Sequence, residues 1–172
     1  SRIVLDVNIY TMNNRAEAFW MKKGILGDTV PLELNAKELV HRNNKNSELT
    51  VYGYTPMMVS VQCVQKTMDH CNHACVQYVL KDRYQKEFRG VCSCEFCYNT
   101  IYNTLPTSLL KEKEKAEKLG VKAYRLSFTI ETQQETEKIV RAFVDVYLRG
   151  QKPDGQMQTE ETTKGHFQRG VE

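Results

Sequence analysis

Six cysteines fall between residues 63 and 97, and none lies elsewhere in the 172-residue chain. They are Cys63, Cys71, Cys75, Cys92, Cys94 and Cys97. Cys94-Glu95-Phe96-Cys97 is a C-x-x-C turn, short enough to bring two thiolates to one metal. Two more sulfurs from Cys63, Cys71 or Cys75 would complete the four ligands that zinc and 4Fe–4S sites both need. Thiolates select zinc or iron–sulfur clusters over hard cations. A zinc ribbon normally shows two C-x-x-C pairs. Here the upstream cysteines are separated by seven and three residues, a spacing that leans towards a cluster embedded in an enzyme. His70 and His73 flank Cys71 and leave a mixed Cys/His zinc site open, although such histidines are more often solvated loop residues.

Other chemistries find less support. A disulfide framework would need an exported protein. Ser1 and Arg2 lead straight into a β-like run with no signal-peptide pattern, so the expected compartment is cytoplasmic, where thiols stay reduced. No apolar run approaches the roughly 20 residues that cross a bilayer, so no membrane partner is expected. A formal net charge of +3 neither demands nor excludes a nucleic acid. The chain has no H-E-x-x-H zinc motif and no G-x-S-x-G elbow. A cysteine nucleophile would need a histidine held by a third group, and nothing selects one among His41, His70, His73 and His166.

The elements that must position these sulfurs read as α/β. Residues 3–10 are rich in β-branched side chains and predict a strand. Asn14, with Glu17 three residues on, caps a short helix that Gly24 closes. Strands are expected over 29–34 and 49–54. Between them lies a helix capped by Asn35 and Glu38 that ends near Asn43 and Asn44. Residues 56–104 form a cysteine-rich region of weak periodicity, with β-like pieces at 76–80 and near Phe88. A helix over 108–119 ends at Gly120, and a strand follows over 123–130. Thr132 and Glu135 form a capping box for a long amphipathic helix whose apolar face holds Ile139, Val140, Phe143, Val146 and Tyr147. Gly150 stops it, and residues 151–172 read as a flexible loop and a closing tail. About four βα units result, enough for a small open sheet or for half of an eight-unit barrel.

Several strings are more specific than any pattern. Residues 51–63, Val-Tyr-Gly-Tyr-Thr-Pro-Met-Met-Val-Ser-Val-Gln-Cys, resemble the segment that leads into the first shared cysteine of the peptidase U32 family. Leu80-Lys81-Asp82-Arg83 with Glu87-Phe88 is similar to that family's "kDR…F" run. Cys94 to Asn99 followed by Ile101-Tyr102-Asn103 resembles its cysteine-plus-"iyN" element. Residues 163–167 and 169–172 resemble its closing motif, and Tyr10, Asn13, Pro31 and Glu33 fit its earlier strands.

The resemblance implies a partial TIM-like (β/α) barrel over residues 1–150, of which this chain supplies the C-terminal units. The cysteine-rich insertion is 56–104, and the N-terminal half of the barrel belongs to a longer protein. It implies either a collagenase-like peptidase, the activity that named the family, or an iron–sulfur-dependent hydroxylase of tRNA or rRNA that uses a prephenate-like donor. The second is the reading taken here, with a non-catalytic zinc module as a further alternative. The implied ligands of a 4Fe–4S cluster are Cys63, Cys71, Cys94 and Cys97. Cys75 and Cys92 are spare or alternative, with Cys75 the main rival. Some members carry a cysteine where Pro56 stands. Lys81, Arg83 and Arg125 are candidates for RNA phosphate or an anionic donor. Tyr98 and Tyr102 could stack on a base or, more simply, pack the cysteine loop.

Overall fold

The computed structural model describes residues 2–69, 71–153 and 161–169. Three short strands open the chain with helices between them: β1 (Val4–Leu5), α1 (Asn14–Lys22), β2 (Gly27–Thr29), α2 (Ala36–Leu39) and β3 (Ser47–Gly53). Residues 56–102 then leave this pattern as β4 (Pro56–Ser60), α3 (Val64–Thr67), β5 (Val76–Lys81), β6 (Glu87–Ser93) and β7 (Tyr98–Tyr102). The chain returns with β8 (Thr107–Ser108), α4 (Lys113–Glu117), β9 (Ala123–Ser127) and α5 (Gln133–Phe143). The result is a mixed α/β protein with two open sheets.

The first sheet is mixed. β1, β2, β3 and β9 pair in parallel, while β8 lies antiparallel against Tyr52 and Gly53 at the end of β3. It does not close into a barrel among the described residues. One face of β3 turns Leu49 and Val51 towards Leu39, Leu119, Phe143 and Val146, which form the core. The opposite face is polar. Thr29 Oγ1 donates to Glu48 at 2.7 Å, Glu48 pairs with Arg125, and Arg125 reaches Asp6 at 2.7 Å. The tail is stitched to β8: Ser108 N donates to Thr163 O at 2.8 Å, and Phe167 is buried in the core.

Local capping explains the helix starts. Asn35 and Glu38 form the expected capping box at α2, and Thr132 and Glu135 form that of α5. At α1 the cap is Asn13 rather than Asn14: its Oδ1 accepts from Arg15 N and Ala16 N, both at 3.0 Å. Asn14 instead accepts from Asn43 N at 2.6 Å, tying α1 to the turn after α2. Replacing Asn13 by alanine is expected to lower stability by about 1 kcal/mol, read as a lower urea midpoint at unchanged slope.

Two strands differ from expectation for physical reasons. The strand expected over 29–34 is observed at Gly27–Thr29. Pro31 has no N–H to give a ladder. Asp28 can sit inside the sheet because Arg42, Thr11 and Ser47 all bind its carboxylate. The expected strand at 3–10 stops at Leu5, and Val7–Ile9 turns into a single 3-10 turn that ends with Tyr10 at φ +53°. The helix expected over 108–119 is broken into β8, a 3-10 turn and α4. Val140, expected on the apolar face of α5, is 37% exposed, whereas Phe143 and Val146 are buried.

The second sheet is antiparallel, in the order β4-β7-β6-β5. β4 is an edge strand with Met57, Met58 and Val59 all exposed. Gly90 on β6 carries the ring of Tyr78 from β5 directly above it; a Cβ there would sit 2.3 Å from the ring.

Candidate metal centre

Strand register brings the cysteines to one end of the antiparallel sheet. Cys92 stands opposite Val76 on β5 and Asn99 on β7, so the three side chains share a face. Carrying the β5–β6 register two residues further sets Cys94 beside Ala74, and Cys94 Sγ donates to Ala74 O at 2.8 Å. Cys94 to Cys97 is the turn that joins β6 to β7. Phe96 N donates to Ser93 O at 3.2 Å, and Cys97 adopts φ +52°.

Cys63 arrives from a separate segment, the end of the loop that leads from β4 into α3. Asn99 Nδ2 donates to Gln62 O at 2.7 Å and pins that loop. The outcome is a row of three sulfurs. Cys92 Sγ lies 3.5 Å from Cys63 Sγ and 3.6 Å from Cys94 Sγ. Two thiolates on one tetrahedral zinc stand about 3.8 Å apart, given bonds of about 2.3 Å. The row is not a finished cage: among the described residues no group of three His, Cys, Asp or Glu side chains already surrounds one ion position. The Cys94 thiol is engaged with the Ala74 carbonyl.

The sulfurs differ electrostatically. Backbone amides, that of Lys66 first, hold the Cys63 thiol below its ordinary value against the opposing effect of burial. Burial, reinforced by Cys63 and Cys94, pushes Cys92 up to about 12. A proton therefore leaves Cys63 before Cys92, and a cation brought to the row would have to displace the proton of Cys92.

Of the residues singled out by spacing and resemblance, Cys63 and Cys94 meet through Cys92, one of the two spare or alternative sulfurs. Cys97 sits across the turn from Cys94, its sulfur 3.7 Å from Cys94 O. Cys71 and Cys75 are exposed on the segment before β5. Cys75 follows directly on Ala74, whose carbonyl Cys94 binds, and Cys71 lies three residues before it. His70 lies outside the described residues, and His73 is exposed. The role of Cys92 had a signal in the sequence: Cys92-Ser93-Cys94 in a β pattern points two sulfurs the same way.

The three cationic candidates do not converge. Lys81 pairs with Glu87 at 3.0 Å in full view of solvent. Arg83 lies over the ring of Tyr84, 4.7 Å from its centroid, at the tip of the β5–β6 hairpin. Arg125 belongs to the polar face of the first sheet, between Glu48 and Asp6. Tyr98 stacks on Phe96 with centroids 6.3 Å apart, and Tyr102 is half-buried. A cavity of about 310 Å³ is bordered by Val30, Leu49, Asn103, Thr107 and the tail residues Lys164 and His166.

No helix among the described residues is long and apolar enough to cross a membrane. Comparison with protein-family models, curated proteins and solved structures gave no match.

Proposed function

We propose that the row of sulfurs is the core of a metal–thiolate centre, with Cys63, Cys92 and Cys94 as ligands. Cys97 is the fourth, and Cys75 its alternative. The observation that carries this is the contact of Cys92 with Cys63, which comes from a separate segment, and with Cys94, two residues further along. The donor set is soft and partly buried, which fits an iron–sulfur cluster or zinc and does not fit a hard cation. Following the resemblance to the U32 family, the centre is read as a 4Fe–4S cluster of an RNA hydroxylase, and such a cluster supplies one-electron chemistry when bound. The chain's own residues hold and shield it. Asn99 fixes the Cys63 loop, and the amides beside Cys63 favour its thiolate. Arg83 and Tyr84, exposed together at a hairpin tip, are suited to a phosphate and a base.

In the same reading the first sheet is part of a (β/α) barrel. Its polar face of Thr29, Glu48 and Arg125 would be the interior, and the edges at β1 and β9 would be continued by further strands. A mononuclear zinc site on the same sulfurs is the second reading, favoured by Sγ separations of 3.5 and 3.6 Å. Protein made without oxygen distinguishes them. A brown preparation with iron and acid-labile sulfide in equal amounts is expected, while one zinc per chain without sulfide would support the second reading. Protein that holds neither, even after reconstitution with iron and sulfide or with zinc, would end the metal proposal.

A further inference from the structure

Cys63 and Cys92 are the two buried cysteines, 6% and 0% exposed, and their sulfurs are in contact at 3.5 Å. A disulfide bond is about 2.05 Å long, so the pair stands about 1.5 Å short of a covalent link. The two sides differ in how firmly they are held. Cys92 lies inside β6, paired with Val76 on one side and Asn99 on the other. Cys63 is the N-cap of α3, a helix of four residues, and its side chain makes no capping hydrogen bond. Moving that sulfur towards Cys92 therefore costs the helix no side-chain cap.

Neither buried sulfur faces solvent, but Cys94 is partly exposed and its sulfur lies 3.6 Å from Cys92. Cys92 thus stands between an accessible thiol and a buried one. A lasting Cys92–Cys94 bond is disfavoured by chain geometry. Two residues apart in extended backbone, their Cα atoms are about 6.6 Å apart, at the outer edge of the roughly 4.4–6.8 Å that disulfides span. Cys63 and Cys92 are 29 residues apart and free of that constraint. The other cysteines stand aside from the row: Cys97 Sγ lies against Cys94 O at 3.7 Å, and Cys71 and Cys75 are exposed.

We propose that Cys63 and Cys92 are a redox pair that closes to a disulfide, with Cys94 as the thiol that meets the oxidant, a small-molecule disulfide RSSR. The Cys94 thiolate attacks one oxidant sulfur, which forms a Cys94–SR mixed disulfide and releases RS⁻. Cys92 Sγ attacks Cys94 Sγ and the second RS⁻ leaves. Cys63 Sγ attacks Cys92 Sγ and returns Cys94 as a thiolate. The protons given up by Cys63 and Cys92 end on the two RS⁻ groups. The sum is two cysteine thiols and RSSR going to one protein disulfide and two RSH, so the chain loses two electrons and the oxidant gains them. The bond needs no metal. One consequence rests on the metal reading above: the same bond withdraws two of the three sulfurs in the row, so oxidation and metal uptake compete.

The test uses the full chain with EDTA, without oxygen, and glutathione disulfide as the oxidant, so it succeeds or fails independently of the metal reading. Free thiols are alkylated at intervals, and linked peptides are identified by tandem mass spectrometry. A Cys63–Cys92 link is expected, and Cys71→Ser should keep it. Cys94→Ser should reach the same link about tenfold more slowly, since the buried pair then meets the oxidant without its intermediary. Cys63→Ser should stop with glutathione on Cys94. In the unaltered chain, Cys63 and Cys92 both still open to alkylation after unfolding would overturn the proposal, and so would an unchanged rate in Cys94→Ser.

Discussion

Arg42→Met is expected to destabilise the protein by about 3–5 kcal/mol, the cost of leaving a buried charge without its partner. Asp28 and Arg42 are almost wholly buried on the helix side of the parallel strands. Arg42 Nε donates to Thr11 O at 2.8 Å, and its Nη1 donates to Asn44 Oδ1 and Ser47 Oγ, both at 2.9 Å. Thr11 and Ser47 in turn donate to the Asp28 carboxylate. The network ties the loop before α1, strand β2, the turn after α2 and the start of β3. Methionine keeps much of the side-chain volume and removes all of the guanidinium's donors, leaving Asp28 with Thr11 and Ser47 alone. The measurement is a urea midpoint compared with Arg141→Met, which breaks an exposed pair with Glu137 and should change stability by no more than about 0.5 kcal/mol. Asp28→Asn combined with Arg42→Met should recover part of the loss, since no charge is then stranded. If Arg42→Met moves the midpoint no further than Arg141→Met, the network does not hold these segments together.

The second large effect concerns the sulfurs. On the proposed metal–thiolate reading, Cys92→Ser is expected to remove most of the metal the centre takes up and to loosen residues 56–102, because Cys92 Sγ is in contact with two other sulfurs. A serine oxygen is a poor ligand for soft metals, and the energy of ligand binding is also folding energy for the segments that supply it. Cys71→Ser, at an exposed position, should leave both metal content and stability close to those of the unaltered chain. Metal per chain, together with hydrogen exchange across 56–102, reads both effects. The reverse pattern, with metal lost on changing Cys71 and kept on changing Cys92, would restore the ligand set implied by family resemblance.

What could be read from the sequence was mostly local. The capping boxes at Asn35 and Thr132 are complete within four residues, so no tertiary knowledge was needed. Strand β2 was misplaced because an aspartate argues against a buried strand, and Arg42 overrides that from a distant turn. Strand β4 was missed because Pro56-Met57-Met58-Val59-Ser60 is exposed along nearly its whole length and shows no alternation. The cysteine cluster was legible as a composition; of the four sulfurs expected together, Cys63 and Cys94 both lie against Cys92, while Cys71 is exposed and Cys97 lies against the Cys94 carbonyl. Cys92 stands among the spare or alternative sulfurs in the sequence reading: the Cys92-Ser93-Cys94 spacing aims two sulfurs the same way, but the pairing with Val76 and Asn99 depends on register across the sheet, which no one segment carries. Tyr78 and Asn99 carried no sequence signal, since each is an ordinary strand residue until its neighbours are known.

The bare position at Gly90 has a consequence for how this sheet can change over time. The tyrosine across from it occupies the volume that any side chain at 90 would need. A substitution there is tolerable only if the ring at 78 has already given way to something small, and losing the ring first leaves a gap that a larger residue at 90 can then fill. The two sites are thus bound to evolve as a pair, and among descendants of this chain the appearance of an alanine at one should coincide with the disappearance of the aromatic at the other.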